Sequence, residues 1–206
     1  KDDVAVWLFT SGSTGKPKGA MHMHHDFAWN TERYAKQVLR MTEADITCGV
    51  PKLFFGYATG TNLMFPFAVG ATTVLFPERS TPERLFDVIE RHGPTMLTSV
   101  PTTIAKMLAA DPEGRRKLGS LRVTLSAGEA LPEELYTRWK QTYGVEILDG
   151  IGSAEMFHIY ISNYPGDVKL GSLGRIVPGY EAQIVDPEGR PVAEGEPGRL
   201  RIRGGS

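Results

Sequence analysis

The chain alternates between short apolar runs and longer stretches in which apolar residues recur every three or four positions. Residues 4–9, Val-Ala-Val-Trp-Leu-Phe, form the first continuous run and predict a buried β-strand. Beyond it, Phe27, Thr31, Tyr34 and Val38 fall on one stripe of a predicted helix, with Asp26 as its cap and His24 packed near the preceding loop. Strands are predicted at 46–50 and 71–76. Ser80 or Thr81 then caps a helix with Pro82 in its first turn, where a missing N–H does no harm. Leu85, Val88 and Ile89 form its buried stripe, and Gly93 followed by Pro94 ends it. A strand at 95–100, a short helix at 101–110 and a strand at 122–126 come next. A further helix starts at Pro132, carries Leu135 and Trp139 four apart and stops at Gly144, and a strand follows at 145–149.

Strands alternating with helices at these intervals predict an α/β fold, a mostly parallel sheet with helices on both faces. After about Asn163, glycine and proline become frequent and the helical period disappears, while short strands remain near 180–185 and 199–203. The expected organisation is therefore an α/β nucleotide-binding subdomain over 1–163 and the start of a β-rich subdomain over 164–206. Both ends read as cuts through a longer domain, because the chain begins at a core strand and stops just after another.

At 206 residues the chain can bury a sizeable core, and its net charge of −1 argues against nucleic acid or a membrane surface as partner. No residue between Lys52 and Glu78 is charged, but Gly56, Gly60, Asn62, Pro66 and Gly70 interrupt that stretch. A buried helix–loop–strand is expected there rather than a membrane span. The single cysteine, Cys48, excludes an internal disulfide and sits in an apolar run. It is expected to be a buried, inert thiol, fitting a reducing compartment such as the cytoplasm. No signal-peptide pattern opens the chain. His22, His24 and His25 invite a metal, but no acidic or cysteine ligands accompany them at a recognised spacing, and a structural role is expected.

Candidate chemistry concentrates in three segments that each follow a predicted strand. The first is residues 10–19, Thr-Ser-Gly-Ser-Thr-Gly-Lys-Pro-Lys-Gly. Its glycines allow a tight loop with backbone N–H groups near a ligand, and its hydroxyls and lysines add donors and positive charge. Such a loop suits a polyphosphate. It is not a Walker A loop, because Pro17 follows Gly15 and Lys16 where Ser or Thr would be needed. The second segment is Ser126 to Leu131 and the third Asp149 to Glu155. In open parallel sheets, ligands sit beyond the carboxyl ends of strands, where these segments are expected. A serine hydrolase is disfavoured, since no Gly-x-Ser-x-Gly occurs.

The string at 10–19 resembles the phosphate-loop signature of the adenylate-forming superfamily, which includes acyl-CoA synthetases, adenylation domains of nonribosomal peptide synthetases and luciferases. The resemblance extends through Gly128-Glu129-Ala130, through Asp149 to Glu155, and through the segment from Gly171 to Pro178, so it covers essentially the whole chain. It implies that Thr10, Ser11, Gly12, Ser13, Thr14, Gly15, Lys16 and Lys18 bind phosphate. It implies that Gly128, Glu129, Ala130, Asp149, Gly150, Ile151 and Ala154 line the nucleotide, and that Glu155 holds Mg²⁺ at the triphosphate. One departure stands out: the family usually places Thr where this chain has Ala154.

Residues 52–57 (Lys-Leu-Phe-Phe-Gly-Tyr), together with the segment from Asp149 to Ile159, look most like the benzoate-CoA ligase branch. By that resemblance Gly56, Tyr57, His158 and Ile159 line an acyl pocket, and aromatic and branched walls suit a flat aromatic acid. The implied reaction activates the acid with ATP to acyl-AMP and pyrophosphate, then transfers the acyl group to coenzyme A. The implied partners are thus a small carboxylic acid, ATP and CoA. The alternatives are an adenylation domain loading a carrier protein, an oxygen-using luciferase, and a non-catalytic nucleotide-binding module. The family's later ribose-binding Asp, hinge and catalytic Lys are absent from this chain, so the isolated fragment is expected to be inactive.

Overall fold

The computed structural model describes residues 1–10 and 15–206. Ser11, Gly12, Ser13 and Thr14, four of the expected phosphate-binding residues, lie outside the described residues. The chain opens with two antiparallel strands, β1 (Val4–Thr10) and β2 (Lys18–Met23), paired from Val4 with Met23 to Thr10 with Lys18. This hairpin is its own two-stranded sheet. The expectation of a buried strand at the end of a parallel sheet is therefore corrected at residues 4–9. Trp7 and Phe9 are 58% and 75% exposed, whereas Val6 and Leu8 are partly covered. The run is apolar on both faces, which hid the period-two alternation of burial.

Helix α1 (His24–Asn30) runs directly into a wider helical turn at Thr31–Lys36, and Tyr34 and Val38 of the predicted stripe are buried. The main sheet follows: β3 (Ile46–Gly49), β4 (Thr72–Val74), β5 (Met96–Ser99), β6 (Val123–Ser126), β7 (Glu146–Gly152), β8 (Ile159–Ser162) and β9 (Arg175–Ile176). Its order is β4-β3-β5-β6-β7-β8-β9. Every pair from β4 to β7 is parallel, while β8 and β9 join antiparallel. Between β3 and β4 the uncharged stretch forms α2 (Gly56–Thr59), a wide turn at Gly60–Met64 and α3 (Phe65–Val69). Among the described residues, no helix is long and apolar enough to cross a membrane.

Alternation along the strands sends side chains into two cores. Met96, Val123, Leu125 and Leu148 meet Tyr34, Val38 and Phe65 on one face. On the other, Leu97 and Ile147 meet helices α4 (Pro82–His92), α5 (Pro101–Ala110) and α6 (Glu133–Tyr143), with Leu85, Ile104 and Trp139 fully buried. The caps read for α4 and α6 are in place, whereas α1 starts at His24 after Met23, with Asp26 inside its first turn and its carboxylate accepting from the Met23 N–H. The Thr81 hydroxyl accepts from the Arg84 N–H, and Gly93 and Gly144 close α4 and α6 in the left-handed conformation. Cys48 is fully buried, and burial pushes its thiol up to about 12, which fits an inert side chain. Two antiparallel strands, β10 (Glu181–Val185) and β11 (Arg199–Arg203), form a third sheet. The segment before them stays with the main body: β9 extends its sheet, and Val177 and Tyr180 enter its core.

A buried carboxylate ties the start of the sheet together. Asp45 accepts from the Thr42 N–H, from the Thr95 hydroxyl and from the guanidinium of Arg122. Burial pushes its carboxyl upward, but the hydrogen bonds from Arg122, Thr95 and Thr42 outweigh burial and hold it below the ordinary value of 3.8. Asp45→Ala leaves these donors unpaired and is expected to destabilise the fold by about 2–4 kcal/mol, less than a fully dry pair because Arg122 is partly solvated. Because the folded value is depressed, the wild-type contribution is present above pH 3.8 and lost as pH falls through the folded value. Urea midpoints of wild type and variant should therefore differ at neutral pH and converge in acid.

Candidate functional site

The carboxyl ends of β3, β5 and β6 and the distal half of β7 open onto two cavities. The first, about 530 Å³, lies between the turn after β6 and the loop over residues 163–173. Gly128, Glu129 and Ala130 form one wall, Asp149, Gly150 and Ile151 the floor, and Asn163, Leu170 and Leu173 the far side. Gly128 has φ +86°, and an added Cβ would meet nothing within 4 Å, so it is the left-handed turn rather than crowding that requires glycine. Glu129 follows Gly128 in the same wall. Its carboxylate turns away and accepts from the N–H and hydroxyl of Thr102 in the first turn of α5.

Asp149 is nearly buried at this floor and accepts a 2.8 Å hydrogen bond from the Ser126 hydroxyl. Burial raises its carboxyl to about 6 against the opposing hydrogen bonds from Ser126 and the Gly150 N–H. A raised folded value means that the folded state binds more protons between pH 3.8 and about 6. Stability thus falls as pH rises through that window and stays lowered above it. Asp149→Asn should raise the neutral-pH stability of the ligand-free protein by about 1–2 kcal/mol, discounted for partial solvation at the cavity. Little gain is expected at pH 4, and urea titrations at the two pH values check both signs.

The second cavity, about 410 Å³, lies between the hairpin and the sheet. The four residues expected around an acyl group, Gly56, Tyr57, His158 and Ile159, all line it. Phe54, Phe55, Val100, Ala127, Leu8 and Phe9 complete an apolar wall. The Phe54 and Phe55 rings lie 4.6 Å apart with their planes tilted by 42°, and both are exposed. Sequence reasoning missed Val100 and gave no role to Ala127 within the segment 126–131; the two follow β5 and β6 directly. Their position at the carboxyl ends of predicted strands was the available signal.

His158 is buried, and its Nε2 donates to the Tyr57 carbonyl at 3.1 Å. Burial lowers its pKa to about 4 against that hydrogen bond, so the ring is neutral at physiological pH. Its Nδ1 and the Tyr57 hydroxyl are buried and have no partner among the described residues. The two cavities share Gly128 and Gly152, so their contents would meet there.

Ala154 lines the second cavity rather than the first, within a short 3₁₀ turn at Ala154–Met156 that packs on the hairpin. Glu155 is exposed on this turn. Among the described residues, no cluster of three or more His, Cys, Asp or Glu side chains could hold a metal unaided. A hard cation at the Glu155 oxygens would therefore need further oxygens from a ligand, as magnesium on a phosphate chain has. The described expected phosphate contacts lie on the hairpin, with Lys18 paired to Thr10 and Gly15 and Lys16 in the connecting turn. The packed histidine of this segment is His22, not His24: His22 is 1% exposed, and His24 is exposed to solvent.

A two-stranded hairpin facing the carboxyl edge of a mixed sheet, with a mixed cavity and an apolar one abutting, defines an α/β protein with two adjoining clefts at its strand ends. The chain belongs to the AMP-binding enzyme family, whose model matches residues 1–206. It is 47% identical over 206 residues to a benzoate–CoA ligase of Thauera aromatica, covering 100% of this chain and 39% of that protein. It is 41% identical to a 4-hydroxybenzoate–CoA/benzoate–CoA ligase of Rhodopseudomonas palustris, covering 100% of this chain and 38% of that protein. Among solved structures, a benzoate CoA ligase from Burkholderia xenovorans superposes with a TM-score of 0.91 at 44% identity, over 99% of this chain and 41% of that one. An anthranilate CoA ligase in complex with anthranoyl-AMP superposes with a TM-score of 0.95 at 43% identity, over 98% of this chain and 39% of that one. The chain thus spans about two fifths of the length of these relatives.

Proposed function

We propose that this chain is the nucleotide- and acid-binding part of an enzyme that activates an aromatic carboxylic acid with ATP, forming acyl-AMP and then acyl-CoA. The observation that carries the reading is the meeting of the two cavities at Gly128 and Gly152. A nucleotide in the first cavity would direct its phosphates toward the hairpin loop, and an aryl acid in the second would present its carboxylate at the same junction. Orientation of carboxylate against α-phosphorus is a large part of what such a site supplies. Thr10, Lys16 and Lys18 are assigned to the phosphates, and Glu155 to the magnesium that accompanies ATP, stabilising charge as pyrophosphate departs. A neutral His158 and the aromatic side chains around it suit an uncharged ring.

The relatives at 47% and 41% identity are named for benzoate or 4-hydroxybenzoate, which supports the aryl class. A relative from Mycobacterium tuberculosis, 37% identical, is named as a p-hydroxybenzoic acid–AMP ligase without reference to CoA. Adenylation of an aryl acid is therefore the shared step, and the acceptor is the part to be assigned separately. The test is acid-dependent ATP–pyrophosphate exchange by the full-length protein carrying this chain, offered benzoate, 2-aminobenzoate, 4-hydroxybenzoate, acetate and amino acids. Exchange driven by an aryl acid is the expected result. Exchange with amino acids alone would overturn the aryl reading, and none with any acid would overturn adenylation.

A further inference from the structure

The turn carrying Glu155 is held in place from the hairpin by a buried histidine. His22 on β2 is 1% exposed and reaches two acceptors at once: its Nδ1 lies 2.7 Å from Asp26 Oδ2, and its Nε2 lies 2.6 Å from the Ala154 carbonyl oxygen. Asp26 has donors around it, with the Met23 N–H at 3.1 Å and His25 Nε2 at 3.0 Å, so it serves as the acceptor. Both ring nitrogens of His22 are therefore engaged, one with the Asp26 carboxylate on its own hairpin side and the other with the backbone of the Glu155 turn.

The turn needs such a hold because its exit is strained. Phe157 has φ +64° and ψ −46°, and the His158 N–H closes on the Met156 carbonyl at 2.7 Å, a three-residue turn of the hand that side chains disfavour. Phe157 is buried against the edges of His22 and Phe27, with ring centroids 5.4 and 4.9 Å away. This turn separates Glu155, which faces solvent, from His158 in the apolar cavity.

We infer that His22 is a positioning residue for acid adenylation, fixing the Ala154 carbonyl so that the strained turn keeps Glu155 directed at the phosphates bound by the same hairpin. The inference rests on the adenylation reading above. A residue that merely filled space would affect folding without separating acid and nucleotide binding from chemistry. His22→Leu keeps apolar bulk but donates nothing, and His22→Gln restores one donor without the ring.

The test uses the full-length protein, with binding sites titrated by a non-hydrolysable benzoyl-adenylate analogue so that unfolded molecules are not counted. Benzoate-dependent exchange per titrated site is expected to fall about 30- to 100-fold in His22→Leu and less in His22→Gln, as for a misdirected stabilising group. Affinity for the analogue, which lacks the departing pyrophosphate, should stay within about threefold, and amide hydrogen exchange over residues 153–158 should accelerate. Exchange per site within threefold of wild type in both variants would overturn the inference, as would loss of analogue affinity in proportion to rate. If His22→Leu yields no folded protein, the His22→Gln comparison decides by the same criteria. Wild type that binds the analogue yet exchanges with no acid would instead bring down the adenylation reading, and this inference with it.

Discussion

Gly152→Ala is expected to remove at least 99% of aryl-acid-dependent exchange activity and to destabilise the full-length protein by about 2–4 kcal/mol. The reason is space. A Cβ at Gly152 would stand 2.5 Å from the carbonyl oxygen of His158, 2.8 Å from its carbonyl carbon and 3.0 Å from the Ile159 Cα. All three are backbone atoms at the start of β8, where the register with β7 shifts between Ile151 and Gly152. No side-chain rotation relieves such a contact, so β7 and β8 must separate. Gly152 is also one of the two residues common to both cavities, so the separation falls where acid and nucleotide meet. A displacement of about an ångström there can lower a rate about 100-fold. Steady-state exchange and urea unfolding of the same preparation check both parts, and an alanine variant with wild-type rate would place the chemistry elsewhere.

Glu155→Gln should separate the two effects. The side chain is exposed, so stability is expected to change by no more than about 0.5 kcal/mol. Removing the negative charge while keeping an oxygen weakens the hold on a divalent cation, and exchange should fall about 10²- to 10³-fold. Titration with Mg²⁺ checks the assignment: the variant should need more magnesium for half-maximal exchange. An equal rate and an unchanged magnesium requirement would remove Glu155 from the site. The contrast between the two variants, one losing rate with stability and the other rate alone, distinguishes a packing constraint from a ligand contact.

Most of the central sheet was legible because its signals are local. Thr81, Pro82 and Gly93 bound α4 from sequence alone, and α5 occupies the predicted span of 101–110. The apolar runs at β5, β6 and β7 could only be satisfied by burial on both faces, which a parallel sheet covered by helices provides. The hairpin was not legible in the same way. Its first strand is as apolar as a core strand, yet Trp7 and Phe9 point to the surface of the described chain, and nothing local distinguishes the two environments.

Strand β8 was missed because the sequence from Met156 to Ile161 carries no turn signal. The reversal is made by Phe157 in a conformation that glycine would ordinarily mark. The wide helical turns at Thr31–Lys36 and Gly60–Met64 likewise have no distinguishing composition.

The site divided along similar lines. Residues in motifs could be placed at strand ends, and they converge on one cavity. Gly128 to Ala130 follow β6, while Asp149 to Ile151 fall within the distal half of β7, which runs on beyond the predicted end at 149. The far wall from Asn163 to Leu170 carries no motif. Its apolar lining residues, Val168 and Leu170, are too few to mark a strand or helix period. Ala154 and Glu129 lie in recognisable segments, but their roles depend on side-chain direction. Glu129 caps α5, and the Ala154 carbonyl is taken by a histidine 132 positions earlier. Long-range hydrogen bonds of that kind leave no periodic trace in a sequence.

The most direct test of the account is whether one ligand fills both cavities. The measurement is equilibrium binding of a non-hydrolysable benzoyl-adenylate analogue to the full-length protein, with ATP and benzoate as separate competitors. A single site from which either competitor displaces the analogue is the predicted result, with affinity well above that of AMP or benzoate alone because joining the parts removes one association cost. An analogue displaced by ATP and indifferent to benzoate, bound no more tightly than AMP, would contradict the account by showing that the apolar cavity does not receive the acid.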